Sequence, residues 1–230
     1  MGVRGVVCGA GGALGRAVVA EFVRRGDHVV GVGRSVERLR AVAEAYPGAV
    51  EGEAADLTDP DQVESLWKRI DSAGAPPAFL VNVTGGFRAG AVLQTSAEDY
   101  RFMLGLNLDT AWWSCRAAAR RMRDAGGGAI VNIAARSAIE RGGGSAGYAV
   151  AKAGVVKLTQ VLAQELEESG IRVNAVLPAL IDTPANRAAF PPDKMERAVP
   201  PEAIARVIAF LCSEDAWPIA GAAIPVYGRY

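Results

Sequence analysis

The stretch Val3-Arg4-Gly5-Val6-Val7-Cys8-Gly9-Ala10-Gly11-Gly12-Ala13-Leu14-Gly15 decides how the chain is read. Its first half is a short β-branched run of the kind that forms a strand buried on both faces. Its second half is a glycine-rich turn, and helical periodicity starts at Leu14. A strand, a glycine turn and a helix in succession make an anion-binding corner. Backbone N–H groups at the helix start face a pyrophosphate, and the helix dipole favours negative charge there. Gly9, Gly11, Gly12, Ala13, Leu14 and Gly15 are therefore candidate dinucleotide-binding residues. No Gly-Lys-Ser/Thr follows, so the turn is not a P-loop.

The same alternation continues outward. Further strands are expected at His28–Gly33, Ala49–Ala54, Ala78–Val83, Ala129–Ala134, Val173–Leu177 and Ala222–Val226. Helices are expected near 14–25, 35–45, 59–72, 96–123, 147–168 and 201–213. Thr58 or Asp59 is placed to cap the third helix, with Pro60 in its first turn. Repeated strand–helix–strand crossovers predict an α/β fold: a Rossmann-like doubly wound parallel sheet of about seven strands, forming a single domain over residues 1–230. Gly126-Gly127-Gly128 reads as a helix-ending turn rather than a boundary.

Composition narrows the function. The 230 residues are 50% hydrophobic and 22% charged, and 25 Lys plus Arg balance 25 Asp plus Glu, which argues against a strongly basic nucleic-acid-binding protein. The single histidine, His28, excludes multi-histidine zinc sites, and no metal is expected. Cys8, Cys115 and Cys212 are far apart and odd in number, which points to a reducing, cytoplasmic setting. Met1-Gly2-Val3-Arg4 enters the first strand without a signal-peptide pattern, and no apolar run approaches the ~18 residues of a membrane span.

The second strand ends in Val32-Gly33-Arg34-Ser35. A carboxylate near here accepts a ribose 2′-hydroxyl proton, whereas an arginine suits a 2′-phosphate. Gly33 offers no carboxylate, so Arg34 and Ser35 favour NADP(H), with NAD(H) as the alternative cofactor. A solvated helix-start arginine is the competing reading. Asp56 and Leu57 either border the adenine or form an ordinary turn. In Tyr148-Ala149-Val150-Ala151-Lys152 the spacing of four puts phenol and ammonium on one helix face. A nearby cation is expected to lower the tyrosine pKa, making the phenol a usable proton donor or acceptor.

Several motifs stand in order: the glycine turn, Asn82-Val83-Thr84-Gly85-Gly86, Asn107, Tyr148-x-x-x-Lys152, Asn174-Ala175-Val176-Leu177-Pro178 and Gly221-Ala222-Ala223-Ile224-Pro225-Val226. Together they resemble the short-chain dehydrogenase/reductase family over essentially the whole chain. The resemblance implies Tyr148 as acid/base, Lys152 as its partner and ribose ligand, and Asn107 holding a relay water. It implies Asn82, Gly85, Pro178, Ile181 and Thr183 along the cofactor. It also implies a small-molecule carbonyl or alcohol substrate, and a homodimer or homotetramer built through the helices at 108–123 and 147–168. There, Ala149, Ala151, Ala153 and Gly154 would permit close approach.

The chain departs from that pattern in four places. Cys8 replaces the usual threonine, Ala13 a glycine, and Val83-Thr84 the middle of Asn-Asn-Ala-Gly. The fourth is chemical: Ala135 stands where the family carries its catalytic serine. Ser137, Ser145, the substrate or a water are the candidates to replace that hydroxyl. Loss of one such donor costs ~10²-fold in rate, which favours substrates already activated towards hydride addition. The dihydropteridine reductase branch also has alanine there and resembles Gly9–Gly15 and the Asp182-Thr183-Pro184…Asn186-Arg187 stretch. A quinonoid-dihydropteridine reductase, a 3-oxoacyl thioester reductase and a non-catalytic NADP(H)-binding sensor or scaffold are therefore the alternative functions. Gly143-Gly144-Ser145-Ala146-Gly147 mimics a hydrolase nucleophile elbow, but no histidine follows it. Trp112-Trp113 reads as core or interface. The segment Pro184–Pro200 is expected to form an irregular flap over substrate, with Asn186 and Arg187 its candidate contacts.

Overall fold

The computed structural model describes residues 2–228; Met1, Arg229 and Tyr230 lie outside them. Seven strands pair in parallel in the order β3-β2-β1-β4-β5-β6-β7. They are β1 (Arg4–Cys8), β2 (His28–Gly33), β3 (Val50–Ala54), β4 (Phe79–Asn82), β5 (Gly128–Ile133), β6 (Ile171–Pro178) and β7 (Ala223–Val226). The crossovers are α1 (Ala13–Arg24), α2 (Val36–Ala45), α3 (Pro60–Ala73), α4 (Ala97–Leu104), α5 (Thr110–Asp124) and α6 (Ala146–Glu165). Two short helices, α7 (Pro184–Ala189) and α8 (Pro192–Met195), precede α9 (Pro201–Leu211). The winding direction reverses between β1 and β4. The crevice beyond the carboxyl ends of those two strands is thus the switch point at which such sheets take ligands.

The strands read as continuous apolar runs because both faces are covered. In β1, Val7 enters a core with Val18, Val19 and Phe22 of α1 and Ile204 and Ile208 of α9. Its neighbours Val6 and Cys8 point the other way, towards Leu66, Trp67 and Ile70 of α3 and Cys115 and Met122 of α5. The strand β3 departs from this reading. It is an edge strand, and Glu51 and Gly52 are exposed.

Two further expectations change. The helix foreseen over 96–123 is three pieces, because a single π turn at Gly105–Asp109 separates α4 from α5. The flap after β6 is largely helical. The helices α7 and α8 each begin at a proline, and Thr183 Oγ accepts from the Asn186 N–H at 3.1 Å. Pairing of Ile181 with Val199 closes the base of this excursion. At α3 the cap is Asp59, whose carboxylate accepts from the N–H groups of Asp61 and Gln62. Two of the residues expected at a subunit contact also pack within the chain. A Cβ on Gly154 would stand 2.9 Å from the Leu108 side chain, and Ala151 is fully buried.

Below the switch point a buried polar chain joins β4, β5 and α6. Asn82 Nδ2 donates to Asn132 Oδ1 at 2.8 Å, Asn132 Nδ2 donates to Thr159 Oγ1 at 3.0 Å, and that hydroxyl donates to the Val155 carbonyl. Asn82 is thus a sheet-interior residue that ties the strands beneath the site. Among the described residues no helix is long and apolar enough to cross a membrane. Thr159→Val keeps the shape but strands the Asn132 amide in the core. Such a group costs ~1–3 kcal/mol, so urea denaturation should show a stability loss of that size, while an unchanged midpoint would mean the chain of amides carries no load.

Candidate active site

Two glycine-rich connections meet at the switch point, and close approach explains their composition. Gly9 has φ +88°, and a Cβ there would stand 2.8 Å from the Thr84 nitrogen, so the β1 turn and the β4 turn are in backbone contact. A Cβ on Gly15 would lie 2.0 Å from the Gly9 carbonyl oxygen, which only glycine avoids. The Gly12 position begins α1 with no side chain capping its N–H groups. These donors open on a cleft of about 410 Å³. The cleft is lined by Arg34, Ser35, Arg38, Asp56 and Leu57, by the turn residues Gly9, Gly11, Gly12, Ala13, Leu14 and Gly15, and by Thr84, Gly85, Leu106, Thr110 and Thr183. Such a trough, with unpaired helix-start donors and an arginine pair along its lining, fits a dinucleotide.

Twelve of the sequence-derived cofactor candidates line this cleft, namely the six from Gly9 to Gly15 plus Arg34, Ser35, Asp56, Leu57, Gly85 and Thr183. Asn82, Pro178 and Ile181 do not. Asn82 gives its amide group to Asn132 while its buried Oδ1 has no partner among the described residues, Pro178 ends β6, and Ile181 is bridged to Val199. Asp56 combines both readings offered for it, since it borders the cleft and its carboxylate accepts from Thr58 N and Oγ1. Arg38 was missed: it stands in the first turn of α2, past Arg34 and the Ser35 cap, and the cleft takes in all three. It packs over the turn, with its Cβ 2.9 Å from where a Gly11 Cβ would be.

The catalytic candidates adjoin the cleft. A Cβ on Gly85 would stand 2.8 Å from Asn107 Oδ1 and 3.2 Å from Lys152 Nζ, so both side chains close in on this cleft-lining glycine and leave no room for a larger residue. Asn107, in the π turn, accepts from the Gly86 N–H and donates to the Gly86 and Met103 carbonyls. Both its amide hydrogens are used, so the side chain acts as a clamp on the β4 turn. Lys152 is buried, and its Nζ donates to the Ile133 carbonyl at the end of β5 at 2.6 Å. The ammonium stands 5.9 Å from the centre of the Tyr148 ring.

The expected depression of the Tyr148 pKa is not found in the ligand-free chain. Burial pushes the phenol up to about 12 and pulls the lysine down to about 8, each through the cost of holding charge away from water. The phenol is therefore firmly protonated at neutral pH, the form that donates a proton to a carbonyl.

The candidates to replace the missing serine are also placed. Ala135 is buried in extended backbone, φ −160° and ψ 159°, at the entry to a short 3-10 turn. Ser137 follows in that turn with its hydroxyl sealed from solvent and without a hydrogen-bond partner among the described residues. Ser145 opens α6, where it bridges Gly90 through the backbone and caps nothing. In the flap, Asn186 donates to the Ile181 carbonyl, and Arg187 forms a two-pronged pair with Asp182 at 2.5 and 2.7 Å. Both flap candidates are thus tied into local structure. A second cavity, about 1130 Å³, lies at the opposite end of the sheet, around Ala78, Gly128 and Ile171, away from all these groups.

A parallel sheet with a dinucleotide cleft at its switch point and a buried tyrosine–lysine pair alongside defines a Rossmann-type oxidoreductase. Residues 9–228 match the family described as enoyl-(acyl carrier protein) reductase. D-threitol dehydrogenase of Mycolicibacterium smegmatis is 30% identical, with 98% of this chain and 91% of that protein covered. Meso-2,3-butanediol dehydrogenase of Serratia marcescens is 33% identical over 97% and 92% of the two chains. A solved short-chain type dehydrogenase/reductase from Mycobacterium ulcerans superposes with a TM-score of 0.90 at 28% identity, covering 97% of this chain and 88% of that one. The chain belongs to the short-chain dehydrogenase/reductase family, and it is an NAD(P)(H)-dependent oxidoreductase.

The burial of Lys152 carries a stability consequence. Its pKa is 10.5 in the open chain and about 8 when folded. Between those values the unfolded chain holds a proton that the folded chain has shed, so stability rises with pH across that window; below about 8 the full cost of burying the ammonium is present. Lys152→Met should therefore raise the melting temperature of the ligand-free protein at pH ~7, with the gap closing towards pH ~10. A pH-independent loss of stability would contradict this.

Proposed function

We propose that the chain is a carbonyl reductase or alcohol dehydrogenase that prefers NADP(H), with Tyr148 as its proton donor and acceptor. The observation that carries this reading is Gly85, which lines the cleft and has Lys152 and Asn107 so close that a Cβ would meet both. Bound in the cleft, the nicotinamide cofactor supplies or accepts the hydride. The chain's own residues do the remainder. In reduction the Tyr148 hydroxyl gives its proton to the carbonyl oxygen as the carbon gains hydride, and in oxidation it takes the alcohol proton. Lys152, anchored on Ile133, holds positive charge beside the phenol and offers donors to ribose hydroxyls. Asn107 keeps the β4 turn in register. The helix-start N–H groups of α1 hold the pyrophosphate.

Three features support the finer choices. Arg34 and Arg38, with the Ser35 hydroxyl between them, concentrate donors where a 2′-phosphate would sit, and no carboxylate takes the place of Gly33. Ala135 removes a hydroxyl that would polarise the substrate, so the carbonyl must be electrophilic in its own right. Both named relatives act on vicinal diols, whose oxidised forms are α-hydroxycarbonyl compounds with such activation. We therefore assign α-hydroxycarbonyl and α-dicarbonyl compounds as the substrate class. Exposed Trp112 on α5 and Val150 and Val161 on α6 offer an apolar face for a homodimer or homotetramer. Three free cysteines, two of them buried, suit a reducing, cytoplasmic setting.

Tyr148→Phe should lower NADPH-dependent reduction of diacetyl by ~10²–10⁴-fold, the usual contribution of a positioned acid. Turnover that survives the change would remove Tyr148 from the mechanism. Calorimetric titration should show NADPH binding more tightly than NADH. Arg34→Ala should weaken NADPH by about tenfold, the scale of one charge-assisted phosphate contact, and leave NADH unchanged. Equal affinity for both cofactors in the unaltered protein would overturn the NADP(H) preference.

A further inference from the structure

The loop between β4 and α4 carries a feature that neither the cofactor cleft nor the proton chemistry uses. Phe87 follows the clamped Gly86 and is 58% exposed, yet its ring meets the Tyr148 ring edge-on, with centroids 5.2 Å apart and planes at 76°. Singly exposed apolar side chains need no explanation in general. This one presents bare aromatic surface beside the proton donor itself.

The loop that carries Phe87 is pinned. Asn107 holds both the N–H and the carbonyl of Gly86. Arg88 pairs with Asp99 and lies 3.8 Å above the Phe102 ring. Gly90 donates to the Gly144 carbonyl and accepts from the Ala146 N–H, which stitches the loop to the start of the Tyr148 helix. An aromatic ring held in place this way is preorganised, so little ordering entropy opposes a ligand that packs on it. The serine position is occupied by Ala135, so a methyl group stands where the family carries a hydroxyl. The arginines next to the site residues are each occupied. Arg88 is bound to Asp99, Arg136 to Glu140 while stacking on Tyr227, and Arg187 to Asp182. None of the three is left to anchor a carboxylate or phosphate.

We infer that Phe87 is a specificity-determining residue, and that it receives a neutral aryl or similarly flat apolar group attached to the reacting carbonyl. This rests on the carbonyl-reductase reading of the same site and narrows it to aryl-substituted α-dicarbonyl and α-hydroxycarbonyl compounds. Aromatic rings favour offset-stacked or edge-to-face neighbours, so a phenyl group packed on Phe87 completes a cluster of three rings with Tyr148.

The test uses binding to the complex with NADP+, in which no reduction of a ketone can occur. Diacetyl and acetylbenzoyl, its phenyl analogue, are titrated calorimetrically into that complex of the unaltered chain, Phe87→Ala and Phe87→Tyr. Acetylbenzoyl should bind about tenfold more tightly than diacetyl to the unaltered chain. Phe87→Ala should weaken acetylbenzoyl more than diacetyl and so erase that ratio, and Phe87→Tyr should restore it. Equal affinity for the two diones, an unchanged ratio in Phe87→Ala, or no binding of either dione overturns the inference. Turnover with NADPH separates this from the broader reading. A dione that binds with the phenyl preference but is not reduced contradicts the reductase assignment and leaves the aryl subsite standing. Reduction of both diones without a phenyl preference removes the subsite alone.

Discussion

The site depends on one buried ammonium. Lys152 leaves α6 and ends on the carbonyl of Ile133, the last residue of β5, in a setting that lowers its affinity for a proton. That contact ties α6 to the sheet beside the β4 turn, where a Cβ on Gly85 would stand 3.2 Å from the same nitrogen. Helix, central strand and cofactor turn therefore share one charged atom. A lysine buried for stability alone would be a poor choice, because desolvation costs more than a single hydrogen bond returns. Its retention makes sense when a bound ribose and a reacting phenol supply what the ligand-free chain does not.

The architecture around that atom is largely passive support. The Asn82–Asn132–Thr159 chain fixes the relative height of β4, β5 and α6. Asn107 fixes the loop above them, and its place in a π turn lets one side chain reach both polar groups of Gly86. The glycines of the β1 turn allow two backbones to touch where a Cβ would intrude, which brings the start of α1 beside the β4 turn. Electrostatics then divides the site into two ends. One carries arginines on a solvated rim, and the other carries a phenol and an ammonium with little water, so charge introduced at the second end has the larger effect.

Much of this was written in the sequence. The strands β1, β2, β4 and β5 were legible because burial on both faces demands an unbroken apolar run, and the β1 turn was legible because its glycines answer a steric need. Edge position is not written in a strand's own residues, which is why β3 looked buried and is not. The π turn escaped notice because an i→i−5 register depends on what Asn107 reaches for across the chain, not on its neighbours. The phenol's pKa was misjudged for a related reason: the spacing of four shows that Tyr148 and Lys152 share a face, but not that both are buried, and burial dominates. Arg187 looked free to meet substrate because its partner, Asp182, lies before the helix rather than on it. Arg38, by contrast, carried a readable signal as a second arginine just past Arg34 and the Ser35 cap.

The central claim is that Tyr148 and the glycine-turn cleft form one site, so that charge bound in the cleft is felt by the phenol. Ultraviolet difference titration of tyrosinate, with Tyr148→Phe subtracted, measures that coupling directly. Without ligand the Tyr148 signal should appear only near 12. With NADP+ bound it should move well below that value, because the positive nicotinamide ring stabilises the phenolate. A Tyr148 titration that NADP+ leaves unmoved, at saturation of the cleft, would contradict the account.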